Sequence, residues 1–221
     1  MHSDKVSVIV PVYNGALFVS QAIESILAQS HQPMEIIVID DGSTDNTEDI
    51  VKRFGGLVRY QYQANSGTSV ARNHGVRLSH QELLAFLDAD DLWPADKLAK
   101  QVATLSDDES VDLVWGNVVE FVGLGPVTST NASPVPGHHP GTMLIRREAF
   151  ARIGEFSETY QQVEVVEWMT RVLQSQIKQV MLPDVLMYRR IHGSNKGISN
   201  PDADRQYLQV LKKHLDQKRA R

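Results

Sequence analysis

Three carboxylates crowd into four positions at Asp88-Ala89-Asp90-Asp91, directly behind the apolar run Leu83-Leu84-Ala85-Phe86-Leu87. Like charges this close repel and raise one another's pKa unless a cation, hydrogen-bond donors or free water relieve them. Asp88 and Asp90, one residue apart at the end of a strand, can share a divalent cation or divide the work between a metal and a ligand hydroxyl. Oxygen ligands of this kind suit Mg2+ or Mn2+, which keep several waters and take further ligands from a substrate's phosphates. The structural alternative is a solvated loop in which Asp91 caps a helix starting near Trp93-Pro94, since Asp is a favoured N-cap and Pro a favoured first-turn residue. A short acidic motif leaves both open.

The elements that must position these acids follow from periodicity. Val6-Ser7-Val8-Ile9-Val10 is short, apolar and β-branched, as a strand buried on both faces requires. Behind the turn Pro11-Val12-Tyr13-Asn14-Gly15, apolar residues recur at helical spacing from Leu17 and Phe18 to Ile26 and Leu27. The pattern repeats: Glu35 to Asp40 reads as a strand, Asp41-Gly42-Ser43-Thr44-Asp45 as turn and cap, and Thr47 to Phe54 as a helix. Val58 to Tyr62, a helix from about Ser69 to Leu78, and Leu83 to Leu87 continue it. Alternating strands and helices imply a doubly wound, mostly parallel α/β sheet with helices on both faces, whose ligands sit at the carboxyl ends of the strands. Tyr13, Asp41 and Asp88 to Asp91 then share one rim.

The second half is less regular. A strand is expected over Asp112 to Phe121 and a loop rich in Pro, Gly, Ser and Thr over Gly123 to Gly141. Order resumes at Met143-Leu144-Ile145, with helices over Arg147 to Ile153 and Val163 to Gln174. Lys178 to Leu182 and Leu186 to Arg190 read as two extended segments, and Tyr207 to Leu215 as a closing amphipathic helix. With no internal repeat, a single domain is expected: residues 1–105 for ligand binding, 106–200 for the second half of the site, and 201–221 as a C-terminal helix.

Composition narrows the chemistry. The 221 residues carry a formal net charge of -5, which argues against a protein that coats nucleic acid, so a polyanionic ligand must be held locally. The absence of cysteine removes disulfides, zinc-thiolate sites and cysteine nucleophiles. No apolar run approaches the roughly 18 residues of a membrane span and no signal peptide is apparent, so a cytoplasmic location is expected. The basic tail "KKHLDQKRAR" reads as a solvated helix end or a peripheral membrane contact.

The ordered series "VSVIVPVYNGALFVSQAIESILAQ", "EIIVIDDGSTDNT", "NSGTSVARNHGV", "FLDADDLW", "GTMLIRREAFARIGEFSE" and "YRRIHGSN" resembles the family 2 glycosyltransferases of GT-A fold and covers residues 6 to about 195. The resemblance implies an inverting, metal-dependent transfer from a nucleoside diphosphate sugar to an acceptor that is a saccharide, a lipid-linked or another small molecule. It also implies residue roles. Pro11, Tyr13 and Asn14 would line the base, with the Tyr13 ring stacking on it. Asp41 would accept a hydrogen bond from the base, which favours uracil, and Arg72 would face the diphosphate. Asp88 and its neighbour Ala89 would lie beside the sugar and ribose, Asp90 would bind Mn2+ or Mg2+, and His192 would be a further ligand to the metal or diphosphate. Arg189 and Arg190 add positive charge nearby. Tyr13 covering its turn, Arg72 pairing with a surface acid and His192 lying in solvent are the structural alternatives.

One departure matters. Such enzymes take the acceptor's proton with the Asp of a Glu-Asp pair opening a second-half helix; here the stretch is "QQVEVVEWMTRVL", with Val165 at the base position. Valine accepts no proton, so Glu164 or Glu167 must substitute, or the protein keeps the nucleotide sugar without transferring it. At helical spacing Glu164, Glu167 and Arg171 share one face and Val166, Met169 and Leu173 the other. Glu164, beside the expected position, is the first choice; Glu167 paired with Arg171 would be structural. A phosphatase of haloacid dehalogenase type, with Asp88 as nucleophile, also uses an acid pair after a strand. It expects a threonine where this chain has Leu92, and it leaves "VIVPVYNG" unexplained.

Overall fold

The structure, a computed structural model, describes residues 4–125, 127, 132–160, 163–193, 206, 209, 210 and 212. Its first half alternates β1 (Val6–Val12), α1 (Val19–Leu27), β2 (Glu35–Asp40), α2 (Thr47–Lys52), β3 (Arg59–Tyr62), α3 (Thr68–Leu78) and β4 (Leu83–Phe86). The second half contains α4 (Lys97–Asp107), β5 (Leu113–Val122), β6 (Val135–Gly137), β7 (Leu144–Arg146), α5 (Arg147–Ile153), α6 (Glu164–Gln174) and β8 (Gln179–Ile191). The sheet runs β3-β2-β1-β4-β7-β5-β6, with β8 beside β5. The β3-β2-β1-β4 block is parallel; β7 joins β4 antiparallel, which turns the chain so that the second half returns across the same rim.

The period-2 pattern of β1 feeds two cores. Val6, Val8, Val10 and Val12 pack with α1 and α4 on one face, while Ile9 joins Val76, Phe150 and Trp168 on the other. Each such fully buried side chain contributes about 1.5–3 kcal/mol. The face of α1 at Val19, Ala22, Ile23 and Ile26 is buried, and Leu17, ahead of the helix, is exposed. Gly75 lets α3 lie directly on β1, since a Cβ there would stand 2.3 Å from Ile9 Cγ2.

Several expectations change. The Gly123 to Gly141 segment is not simply a loop: it holds β6 and a 3-10 turn at Pro140–Thr142. The two extended segments near the end are one strand, β8, bent where its pairing with β5 shifts register between Trp115 and Val118. On α6 the buried residues are Glu167, Trp168 and Val172, and Leu173 is exposed, because the helix lays its Trp168 side on the aromatic cluster of α5. Most of the Tyr207 to Leu215 helix lies outside the described residues.

Candidate active site

The acidic turn behind β4 is resolved into three separate partnerships. Asp88 Oδ1 accepts from Arg72 Nη2 at 2.7 Å; Asp90 Oδ2 lies 3.0 Å from His192 Nε2; Asp91 Oδ1 accepts from the Arg190 backbone N–H at 2.9 Å. Asp91 therefore does not cap a helix. α4 starts later, behind Asp96, because Leu92 forms a backbone bridge with Tyr188 that pulls the turn against β8 and buries Asp91. Burial and the charges of Asp90 and Asp88 push the Asp91 carboxyl well above the usual range; burial and Asp88 raise Asp90 as well. The crowding expected from the sequence thus adds to burial in raising both carboxyls.

Arg72, on α3, is buried and stands behind two acids rather than in the open crevice: its Nη1 is 3.4 Å from Glu164 Oε1 while Nη2 holds Asp88. Its Nε has no hydrogen-bond partner among the described residues. Burial opposes its charge, but Asp88 and Glu164 outweigh that and raise its pKa. A single buried guanidinium thus ties the end of β4 to the first turn of α6. Glu167 is bound instead by Arg171, whose Nη2 is 2.9 Å away and which also holds the Ile153 and Glu155 carbonyls. Of the two glutamates, Glu164 is the one beside the acidic turn.

The remaining predicted positions lie around the same rim, with different degrees of engagement. Tyr13 is 55% exposed at the end of β1. Asn14, at φ 49°, accepts from Thr44 N through its side-chain oxygen and donates its own N–H to Ser43 Oγ, so it locks the β1 turn to the β2 turn. Pro11 is buried inside β1 opposite Ile39, and Ala89 is packed in the core. Asp41 is 4% exposed and accepts from Gln63 Nε2, Ser66 N and Gly67 N, which sets the entry to α3. Three of its roughly four lone-pair sites are used.

His192 stacks on Phe18 with ring centroids 4.7 Å apart. Arg190 lies between Phe18 and Phe121, donating to the Asp90 carbonyl and to Gln21; it fastens the acidic turn from below. Arg189 pairs with Glu120 at the surface. Asp90 Oδ2 and His192 Nε2 stand at hydrogen-bond distance, 3.0 Å, which is also about the separation of two cis ligands on an octahedral ion at about 2.1 Å.

Sequence reasoning missed His139. Its Nε2 lies 3.7 Å from Asp88 Oδ2, and Asp88, Asp91 and His139 bring one ligand atom each within 4.8 Å of one another. Burial pushes its pKa down to about 4; Asp88 opposes this, and Arg72 and Arg189 add to it. The only signal was a histidine pair, His138-His139, in a segment read as loop. Beneath it a buried floor holds the 3-10 turn: Trp93 Nε1 donates to Gly141 O at 2.7 Å, Gln101 Nε2 to Thr142 O at 2.8 Å, and Lys97 Nζ to Met143 O at 3.3 Å.

Comparison with solved structures gives the fold. S. aureus TarS in complex with UDP matches 96% of this chain and 72% of its own, with a TM-score of 0.72 at 20% identity. A mannosyltransferase from Pyrobaculum calidifontis in complex with GDP-Man and Mn2+ matches 98% of this chain and 64% of its own, with a TM-score of 0.68 at 22% identity. The fold is that of the GT-A glycosyltransferases. The sequence carries the assignment further: the model of Glycosyl transferase family 2 matches residues 7–131, and an uncharacterised glycosyltransferase of Nostoc sp. is 32% identical over 90% of this chain and 68% of its own length. The chain belongs to glycosyl transferase family 2. It spans 28% and 36% of the length of two relatives from Rickettsia conorii and Rickettsia typhi. No helix among the described residues is long and apolar enough to cross a membrane.

Proposed function

We propose that this chain transfers a sugar from a nucleoside diphosphate sugar, a UDP-sugar first, to an acceptor hydroxyl with inversion, and that it needs Mn2+ or Mg2+. The observation that carries this is the Asp90–His192 pair, 3.0 Å apart beside an Asp88 aimed by a buried arginine. Tyr13 stacks on the base and Asp41 accepts from it with its remaining lone pair. Asp90 and His192 would hold the divalent ion, which would supply positive charge against the departing diphosphate. Arg72 orients Asp88 and Glu164 while Asp88 receives the sugar end of the donor. Glu164 takes the proton of the attacking hydroxyl, which displaces the nucleoside diphosphate directly. UDP complexes of TarS and the Mn2+ complex of the mannosyltransferase support the ligand class.

Calorimetry tests this: UDP should bind in Mn2+, weaken at least tenfold without metal, and lose the metal effect in Asp90→Ala. Nucleotide binding that ignores metal refutes the reading. Val165 supports a second one, in which the chain holds the nucleotide sugar without transferring it. Robust sugar transfer by the wild type excludes that alternative; transfer created only by Val165→Asp establishes it.

A further inference from the structure

We propose that His139 and Asp88 together grip a hydroxyl of the donor sugar, which makes His139 a specificity-determining residue and not a metal ligand. The proposal rests on reading the crevice as a nucleotide-sugar site and adds to it what recognises the sugar. The two ring nitrogens have different tasks. Gly141 N–H donates to Nδ1 at 3.1 Å, so Nδ1 is the bare nitrogen, and the neutral ring carries its proton on Nε2. The tautomer follows from that hydrogen bond.

The ring is preset by its surroundings. The His139 carbonyl accepts from Thr142 N and Thr142 Oγ1, both at 2.9 Å. Gly141 sits where a Cβ would meet Met187 Sδ at 2.1 Å, and Trp93 pins its carbonyl, so the turn has one path. Nε2–H then faces Asp88 Oδ2 across 3.7 Å, beyond a direct hydrogen bond. A hydroxyl oxygen about 2.8 Å from each atom closes that gap, accepting from Nε2–H and donating to Oδ2. Arg72 holds the other oxygen of Asp88, so the acceptor is aimed.

A cation in the Asp88, Asp91 and His139 group is disfavoured by the same facts. Ligation through Nε2 would move the proton to Nδ1, against the Gly141 N–H. Asp91 already gives an oxygen to Arg190 N. The group has the donor and acceptor pattern of a hydroxyl site.

The test uses the whole chain and three probes, UDP-glucose, UDP-N-acetylglucosamine and GDP-mannose, each against its bare nucleotide in Mg2+. The best-bound sugar nucleotide should lose roughly tenfold in affinity in His139→Asn, the loss expected of one hydrogen bond, while the bare nucleotide binds within twofold of wild type. His139→Gln, whose amide reaches the Nε2 position, should recover most of the loss. Equal weakening of sugar nucleotide and nucleotide, or no weakening, overturns the clamp. A wild type that binds none of the probes or nucleotides overturns the function it rests on instead. Ring 15N shifts of the wild type supply a readout independent of the variants: Nε2 of His139 should be protonated and unmoved by Mg2+, whereas His192 shifts. A bare Nε2 or a Mg2+-dependent shift at His139 overturns the proposal.

Discussion

Replacing Lys97 with methionine probes the floor under the site, and the informative quantity is a slope in pH. Lys97 is fully buried; its Nζ donates to Gln101 Oε1 at 2.6 Å and lies 4.1 Å from the centre of the Trp93 ring. No carboxylate among the described residues lies in ion-pair range of it, and burial pushes its pKa well below the usual lysine range. The unfolded chain keeps the proton on this amine up to about pH 10.4. Between the depressed folded value and that pH the unfolded chain binds more protons, so stability rises with pH, by up to about 1.4 kcal/mol per unit from this group. Below the folded value both states are protonated and the slope vanishes. Methionine fills a similar volume and does not titrate. Its constant offset combines relief of the buried charge with the orphaning of Gln101 Oε1, worth about 1–3 kcal/mol against it. The difference in unfolding free energy between wild type and Lys97→Met should therefore move in favour of the wild type as pH rises. Urea melts followed by tryptophan fluorescence from pH 6 to pH 10 measure it. A difference constant to within about 0.5 kcal/mol over that range would refute a desolvated lysine at this position.

Arg72→Met leaves Asp88 and Glu164 without their shared cation and should cost about 3–5 kcal/mol of stability at neutral pH. Urea denaturation at pH 7 measures that loss. Glu164→Gln should lower sugar transfer about 10²–10⁴-fold without altering nucleotide affinity, as loss of a general base predicts. Glu167→Gln weakens the clamp on Arg171, so it reads out as about 1–3 kcal/mol of lost stability by the same melts. Gly75→Ala forces a Cβ against Ile9 and should cost about 1–3 kcal/mol. Combined with Ile9→Ala, the loss should be smaller than the sum of the two, because the clash is gone.

Local chemistry was legible wherever the signal is periodic or crowded. The strand and helix alternation through Leu87, the helix Arg147–Ile153 and the end of α6 at Gln174 follow from spacing of apolar residues, which depends only on neighbours along the chain. The acidic cluster at Asp88 announced a need for positive charge for the same reason. Capping of a helix by Asp91 was the reasonable local reading and failed because a strand about 100 residues further on, β8, took that carboxylate with the Arg190 N–H.

The sequence by itself determined the alternating elements of the first half, the rim on which the acids stand and the presence of a valine where a base is expected. Only the tertiary structure decided how the charges are shared. It set Arg72 between Asp88 and Glu164, gave Glu167 to Arg171, and carried His139 to Asp88 from a stretch with no regular pattern. Those assignments depend on which segments pack together across β4, β7 and β5. Apolar periodicity says which face of an element is buried, but the partner of a buried polar group is set by whichever distant donor or acceptor the packing brings within hydrogen-bond reach.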